Sequence, residues 1–240
     1  MKTPLIALCL MLVGLITSPQ CVFAAEPKRL AAADSKVAAD EPLVQWFEAE
    51  KAGQIEVKFF PKDATEATIF VRNLTDAPLR IKLPDAFAAV PANAQMGMGG
   101  MGGGMGMMRI PAEKEFKVKV TTVCLEHAKK DPNPRVKYKM VPVEQFTEDP
   151  RVHEVLKQLG YNRMTQNVAQ AAAWHLMDGL SWSFLANKIR KQDPVTRQTE
   201  MWFHPQELQF ASLVVANAHQ LHGQVDPSAI RKDEYGYPAK

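Results

Sequence analysis

The chain has 240 residues, 29 basic against 26 acidic with 6 His, a formal net charge of +3, and 46% apolar residues including 4 Trp. So mild a charge balance argues against an electrostatic nucleic-acid binder, while the apolar share suffices to bury a core. Of the 3 Cys, Cys9 and Cys21 fall in the N-terminal leader, which leaves Cys124 without a partner for an intramolecular disulfide.

In chain order, Met1-Lys2 supplies a short basic start, Leu5 to Ile16 an apolar run, and Val22-Phe23-Ala24 a small-residue cleavage signature. Residues 1–24 are therefore expected to form a secretory signal peptide, since the apolar run is shorter than the roughly 18 residues of a membrane span. The mature chain is expected in a periplasm or outside the cell, with no membrane span after cleavage. Residues 25–40 are alanine-rich and charged without an aromatic residue, and they read as a flexible tether.

From Glu41 to Ala52, Leu43, Val44, Trp46, Phe47 and Ala49 have spacings that predict a short amphipathic helix ended by Gly53. Period-two alternation then follows in Ile55-Val57-Phe59, around Ile69-Phe70-Val71, and in Leu79-Ile81-Leu83, which predicts half-buried strands. Asn73-Leu74-Thr75-Asp76-Ala77-Pro78 carries turn chemistry: Asn and Asp bond their own backbone, and Pro presets φ. It is also a glycosylation sequon by pattern, but the turn explains it. After Pro84 the alternation lapses, and 95–108 contains six methionines among glycines, read as a flexible loop inserted between strands. Phe116, Val118 and Val120 resume the strand pattern up to Cys124, and Arg135 to Val143 reads as a further extended piece.

At Asp149-Pro150 the period changes to that of helices, with Asp as N-cap and Pro as the first helical residue. Val152, Val155, Leu156 and Leu159 fall on one face before Gly160. A second helix is expected from Met164 to Met177, and a third capped by Ser181 that carries Trp182, Leu185 and Ile189. A fourth begins at Pro205 with Leu208, Ala211, Val215, Ala218 and Leu221. Residues 223–240 read as a loose polar tail. Strands first and helices second predict an α+β chain: a small antiparallel β-sandwich of about five strands (41–145) followed by a bundle of about four helices (146–222).

Chemistry-bearing residues are sparse. A leftover exported cysteine is either buried and inert or a reactive thiol, and Cys124 is the one to follow. On a continuing strand His127 points to the face opposite Cys124, so a Cys-His dyad requires the strand to end first. Glu126, Asp131, Glu144, Glu148 and Asp149 read as solvated charge at the β-to-α junction. His219 and His222 share a helical face near a helix C-terminus, where positive charge is favoured without any metal. Thioethers prefer Cu(I), so the methionine-rich segment offers a copper-binding alternative. No phosphate-cradling glycine motif, Ser-His-Asp order or paired-cysteine metal spacing is present, and no cofactor is called for.

Val123-Cys124-Leu125, with a downstream Pro-containing turn and Tyr138, resembles the cysteine side of bacterial surface thioester domains. Ala169-Gln170-Ala171-Ala172-Ala173-Trp174 resembles their Thr-Gln-x-Ala-x-Trp helix motif, with Ala169 where the motif has threonine. Gln166 after Thr165 is a second, poorer match, because Val168 stands where the motif has alanine. The resemblance implies an internal thioester between Cys124 and Gln170 that acylates amines on a partner. Ala169, Ala172 and Ala173 equally describe an ordinary helix-packing face with Gln170 at its edge. The chain as a whole also resembles a group of uncharacterised exported bacterial proteins, with similar stretches at Asn73 to Leu79, Val123 to His127 and Ala169 to His175. That resemblance implies export and no particular activity. The leading expectation is a non-enzymatic envelope or surface module with an unidentified envelope or extracellular partner.

Overall fold

Alternating side chains in the first half can each serve two faces of a sheet, and the structure uses both. The structure is a computed structural model describing residues 41–92, 100–102 (backbone only), 106–127 and 129–222; these belong to one unit beginning at Asp40. In order, the first half contains β1 (Leu43–Gln45), α1 (Trp46–Lys51), β2 (Ile55–Pro61), β3 (Glu66–Asn73), β4 (Leu79–Lys82), β5 (Ala86–Pro91), β6 (Gly100–Gly102), β7 (Met107–Ile110), β8 (Glu115–Val123) and β9 (Tyr138–Pro142).

Six of these strands close into a barrel in the order β2-β3-β8-β6-β5-β9. All of its ladders are antiparallel, and the closing one is a single pair, Phe59 opposite Tyr138. The expected two-layer sandwich is thus replaced by one sheet curled on itself, which removes exposed edges that a sandwich would leave. Strands β1, β4 and β7 form a separate small sheet in which β1 runs parallel to β4. Buried Trp46, Leu79, Ile81, Met108 and Ile110 from α1 and this sheet join Ile55, Phe59, Ile69, Val71, Val118, Val120 and Met140 of the barrel in one core.

Three local expectations change. Leu43–Gln45 is strand rather than the first turn of a helix, because β4 offers it a backbone partner that an isolated helix turn lacks. Strand β5 escapes the alternation rule because both of its faces are covered: Phe87 and Ala89 face the barrel core, and Ala88 is also fully buried. The methionine-glycine segment is not a plain loop, since β6 lies between β5 and β8 in the barrel and Met107-Met108 pairs with Lys82 and Ile81. Glycine at every second position hides the period of two.

Asn73 is fully buried and closes the β3–β4 turn. Its Nδ2 donates to Ala77 O at 2.8 Å and to Ile110 O at 3.1 Å, and its Oδ1 accepts from the Thr75 N–H at 2.9 Å.

The second half contains α2 (Pro150–Gly160), α3 (Gln166–Asp178), α4 (Trp182–Ala186), β10 (Ile189–Gln192), β11 (Thr199–Met201) and α5 (Pro205–His222). Its starts and stops follow side-chain chemistry. Asp149 accepts the Arg151 N–H, Thr165 the Val168 N–H and Ser181 the Phe184 N–H, while Gly179 ends α3 at φ 67°. Helices α2, α3 and α5 pack on one another and α4 touches α5, so this half holds the four helices expected, one of them only five residues long, with the β10–β11 hairpin set between α4 and α5. Ile189 opens the β10–β11 hairpin instead of ending a helix, because Asp193 Oδ1 takes the N–H groups of Val195 and Thr196 and makes the turn.

Helix α3 is the centre of this half. Every residue from Val168 to Trp174 is buried, as expected of a helix covered on all sides. Its second core also takes in Val123, Cys124 and Leu125, so the end of β8 runs out of the barrel and into the helical core. Among the described residues no helix is long and apolar enough to cross a membrane.

Candidate functional site

Where β8 leaves the barrel, its backbone loses a neighbouring strand and needs other partners. The Thr122 N–H still reaches Thr65 O at 2.8 Å. Beyond it the groups on that edge belong to Thr122 and Cys124, because alternate residues of a strand present N–H and C=O to the same side. Glutamines of α3 take them. Gln166 Nε2 donates to Thr122 O at 3.1 Å. The Cys124 N–H donates to Gln170 Oε1 at 2.8 Å, and Gln170 Nε2 donates to Cys124 O at 2.7 Å. Gln170 therefore acts as one residue of a missing strand, closing the reciprocal pair that a β partner would make.

The same ridge of α3 continues along the chain after β8. The His127 N–H donates to Asp178 Oδ2 at 3.1 Å. The His127 ring stands edge-to-face on Trp174, centroids 4.8 Å apart. Gln166, Gln170, Trp174 and Asp178 are each four residues apart and so share one helical face. Sequence reasoning singled out the two glutamines and missed Trp174 and Asp178 as members of the same ridge; the spacing of four was the signal that could have found them. Gln170 is not at the edge of a packing face either: it is 2% exposed.

The thiol itself is turned elsewhere. Cys124 Sγ donates to Glu126 O at 3.2 Å, and Cys124 is buried and free. Burial pushes the thiol up to about 11, with the charges of Asp131, Glu126 and Asp178 acting in the same direction. A thiol held in that state is a weak nucleophile at neutral pH. His127 lies in the loop after β8 and packs on Trp174 and Phe184; no hydrogen bond joins it to the Cys124 thiol. Burial lowers its pKa, and the Lys188 ammonium adds to that effect.

Two of the junction acids are not solvated. Glu126 is 5% exposed and pairs with Lys129 at 2.9 Å; burial raises its pKa. Asp149 is equally buried, capping α2 and accepting from Arg151 Nε at 2.8 Å. Asp131, Glu144 and Glu148 are exposed. His219 lies against Arg151 while His222 is exposed, and among the described residues no group of three or more His, Cys, Asp or Glu is placed to hold a metal. Met108 is buried in the barrel core, and Met107 lies beside Arg80. The leader 1–24, the tether 25–40, the tail 223–240 and Met96, Met98 and Met105 lie outside the described residues.

One surface recess is lined by Ser181, Ser183, Phe184, Asn187, Lys188 and Ile189, and another lies between the β4–β5 connection and α2; neither Cys124 nor Gln170 lines them. The candidate site thus has two parts, a buried clasp at Cys124–Gln170 and an open recess beyond its Trp174 end. No protein-family model matches the chain, and no curated protein matches it either.

Proposed function

We propose that the chain is an exported, non-enzymatic envelope or surface binding module, in which the Cys124–Gln170 clasp welds a β-barrel to a helical half that carries the binding surface. The observation that carries this reading is the reciprocal Gln170 pair on the Cys124 backbone. Both polar atoms of the carboxamide are engaged with main chain, and the thiol donates to the Glu126 carbonyl rather than to a histidine or a carboxylate. Such an arrangement supplies rigidity rather than turnover. The test has two arms. Cell fractionation is expected to find the protein in the periplasm or the medium, and a purely cytoplasmic protein ends the export reading. Intact mass is expected to equal that of the cleaved sequence, with one thiol titrating after denaturation.

A second reading rests on the Cys124 N–H that polarises the Gln170 carbonyl at 2.8 Å in a buried junction. Attack of the Cys124 sulfur on the Gln170 carboxamide carbon would form a C–S bond, break the C–N bond and release ammonia carrying the thiol proton. The resulting thioester would acylate amines of a partner. A mass lower by one ammonia, no thiol after denaturation, and a methylamine adduct are its expected signatures; a full mass with a titratable thiol excludes it.

A further inference from the structure

The recess on the helical half lies where the clasp ridge ends. It is a shallow, open recess of about 560 Å³ lined by Ser181, Ser183, Phe184, Asn187, Lys188 and Ile189. The Phe184 ring is 48% exposed and is steadied from behind by the His127 ring, edge-on at 5.7 Å. Lys188 is the only cation among the described residues of the lining. Its ammonium lies 5.3 Å from the centre of the Trp174 ring and 5.2 Å from that of Trp202. Two indole faces thus hold it in place.

No carboxylate among the described residues comes within ion-pair distance of Lys188. Asp131 acts on it only through space, and burial lowers its pKa. Neighbouring Arg190, also over Trp202, has Glu200 at 3.6 Å, so the two cations differ in what they have left to bind. On the same rim the Ser181 and Ser183 hydroxyls hydrogen-bond each other at 3.0 Å, and Ser181 Oγ also accepts the Phe184 N–H at 3.1 Å, which leaves each hydroxyl part of its bonding capacity for a ligand. Behind the recess, Trp174 Nε1 and His127 Nε2 are buried without a hydrogen-bond partner among the described residues.

One pre-positioned cation without an ion pair among the described residues, a pair of hydroxyls and one exposed ring face match a monoanionic polyhydroxy ligand. A polyanion would call for several free cations, and an apolar ligand would leave the ammonium without an anion. We propose that this recess binds a carboxylate-bearing sugar, with the carboxylate on Lys188 Nζ, ring hydroxyls on Ser181 and Ser183, and the apolar face of the sugar on Phe184. The inference rests on the reading of the chain as an exported binding module and names the ligand class.

The test is titration of the purified full-length protein with galacturonate, its neutral counterpart galactose, and acetylglycylglycine as a peptide carboxylate, read by calorimetry and by the fluorescence of the neighbouring indoles. Galacturonate is expected to bind saturably and at least about tenfold more tightly than either other probe, since one charge-assisted contact separates it from galactose. Lys188→Met is expected to lose about tenfold or more, Lys188→Arg to retain most of the affinity, and Phe184→Ala to weaken binding. Lys117→Met on the barrel leaves it unchanged. Absence of galacturonate binding at millimolar concentration, equal binding of galactose, or an unaltered Lys188→Met that keeps its native circular dichroism each overturns the proposal. Equal binding of acetylglycylglycine reassigns the recess to peptide carboxylates and overturns it as well. An exported protein that ignores galacturonate loses only this ligand assignment, whereas a cytoplasmic protein that binds it loses only the export reading.

Discussion

Replacing Gln170 by leucine is the sharpest perturbation of the clasp. Leucine nearly conserves volume and helix propensity, so α3 and its packing are expected to persist. What disappears is the partner of two main-chain groups. The Cys124 N–H and C=O, bonded to the carboxamide at 2.8 and 2.7 Å, stay in a region where Cys124 is 3% exposed and water cannot replace the lost partner. Each buried group left unsatisfied costs about 1–3 kcal/mol, so Gln170→Leu is expected to cost about 4 kcal/mol. For a chain of this size that lowers Tm by roughly 8–16 °C. Urea unfolding followed by circular dichroism, with thermal unfolding alongside, measures it. Gln166→Leu, at a part-buried single bond to Thr122 O of 3.1 Å, serves as the internal comparison at about 1 kcal/mol. A Gln170→Leu protein within 1 kcal/mol of the parent, or no worse than Gln166→Leu, would refute the claim that the glutamine replaces a strand.

Three further outcomes are expected. Because burial raises the Cys124 thiol from 9.0 to about 11, the folded state prefers the protonated form. Its contribution is whole below about pH 9 and is lost as pH rises to about 11, to the extent of about 2–3 kcal/mol. Denaturant titrations across that window should show the loss in the parent and not in Cys124→Ala, and iodoacetamide at pH 8 should label the unfolded chain only. Asp149→Ala removes the α2 cap and strands the buried Arg151 guanidinium, at about 3–5 kcal/mol by urea unfolding; a loss below 1 kcal/mol contradicts the buried pairing. Gly179→Ala places a Cβ at φ 67° with nothing within 4 Å of it. The cost is therefore conformational alone, about 1 kcal/mol, and Tm should fall by roughly 2–4 °C.

Much of the local structure was legible from residue chemistry, and the misses have common causes. Asp149-Pro150 and Ser181 act within one or two turns of themselves, so their capping roles need no knowledge of the fold; Thr165, expected inside the second helix, instead caps it. Strand β5 was missed because two buried faces abolish alternation, and β6 because glycine carries no hydropathy signal. β1 was misread because apolar spacing over a few residues fits either period, and only pairing with β4 decides. Glu126 and Asp149 looked solvated because a carboxylate reveals nothing of its burial until Lys129 and Arg151 are seen beside it.

The candidate site divides along the same line. Cys124 stands out in the sequence as the one cysteine outside the expected leader, and Gln170 is set beside it through the resemblance of Ala169 to Trp174 to the glutamine motif of thioester domains. The sequence also determined the coarse order of a strand-rich half before a helix-rich half, α1 and the β10–β11 hairpin apart, and where most helices start and stop, since those depend on short-range bonds and on hydropathy period. Only the tertiary structure decided that the sheet closes into a barrel, that Gln170 bonds the Cys124 main chain rather than its sulfur, and that Lys188 lies over Trp174 and Trp202. Ladder closure, carboxamide orientation and the meeting of side chains from β11, α3 and α4 neighbours are long-range events. Their free energy comes from burial and from satisfying main-chain groups at the ends of elements, and no local pattern of residues carries that information.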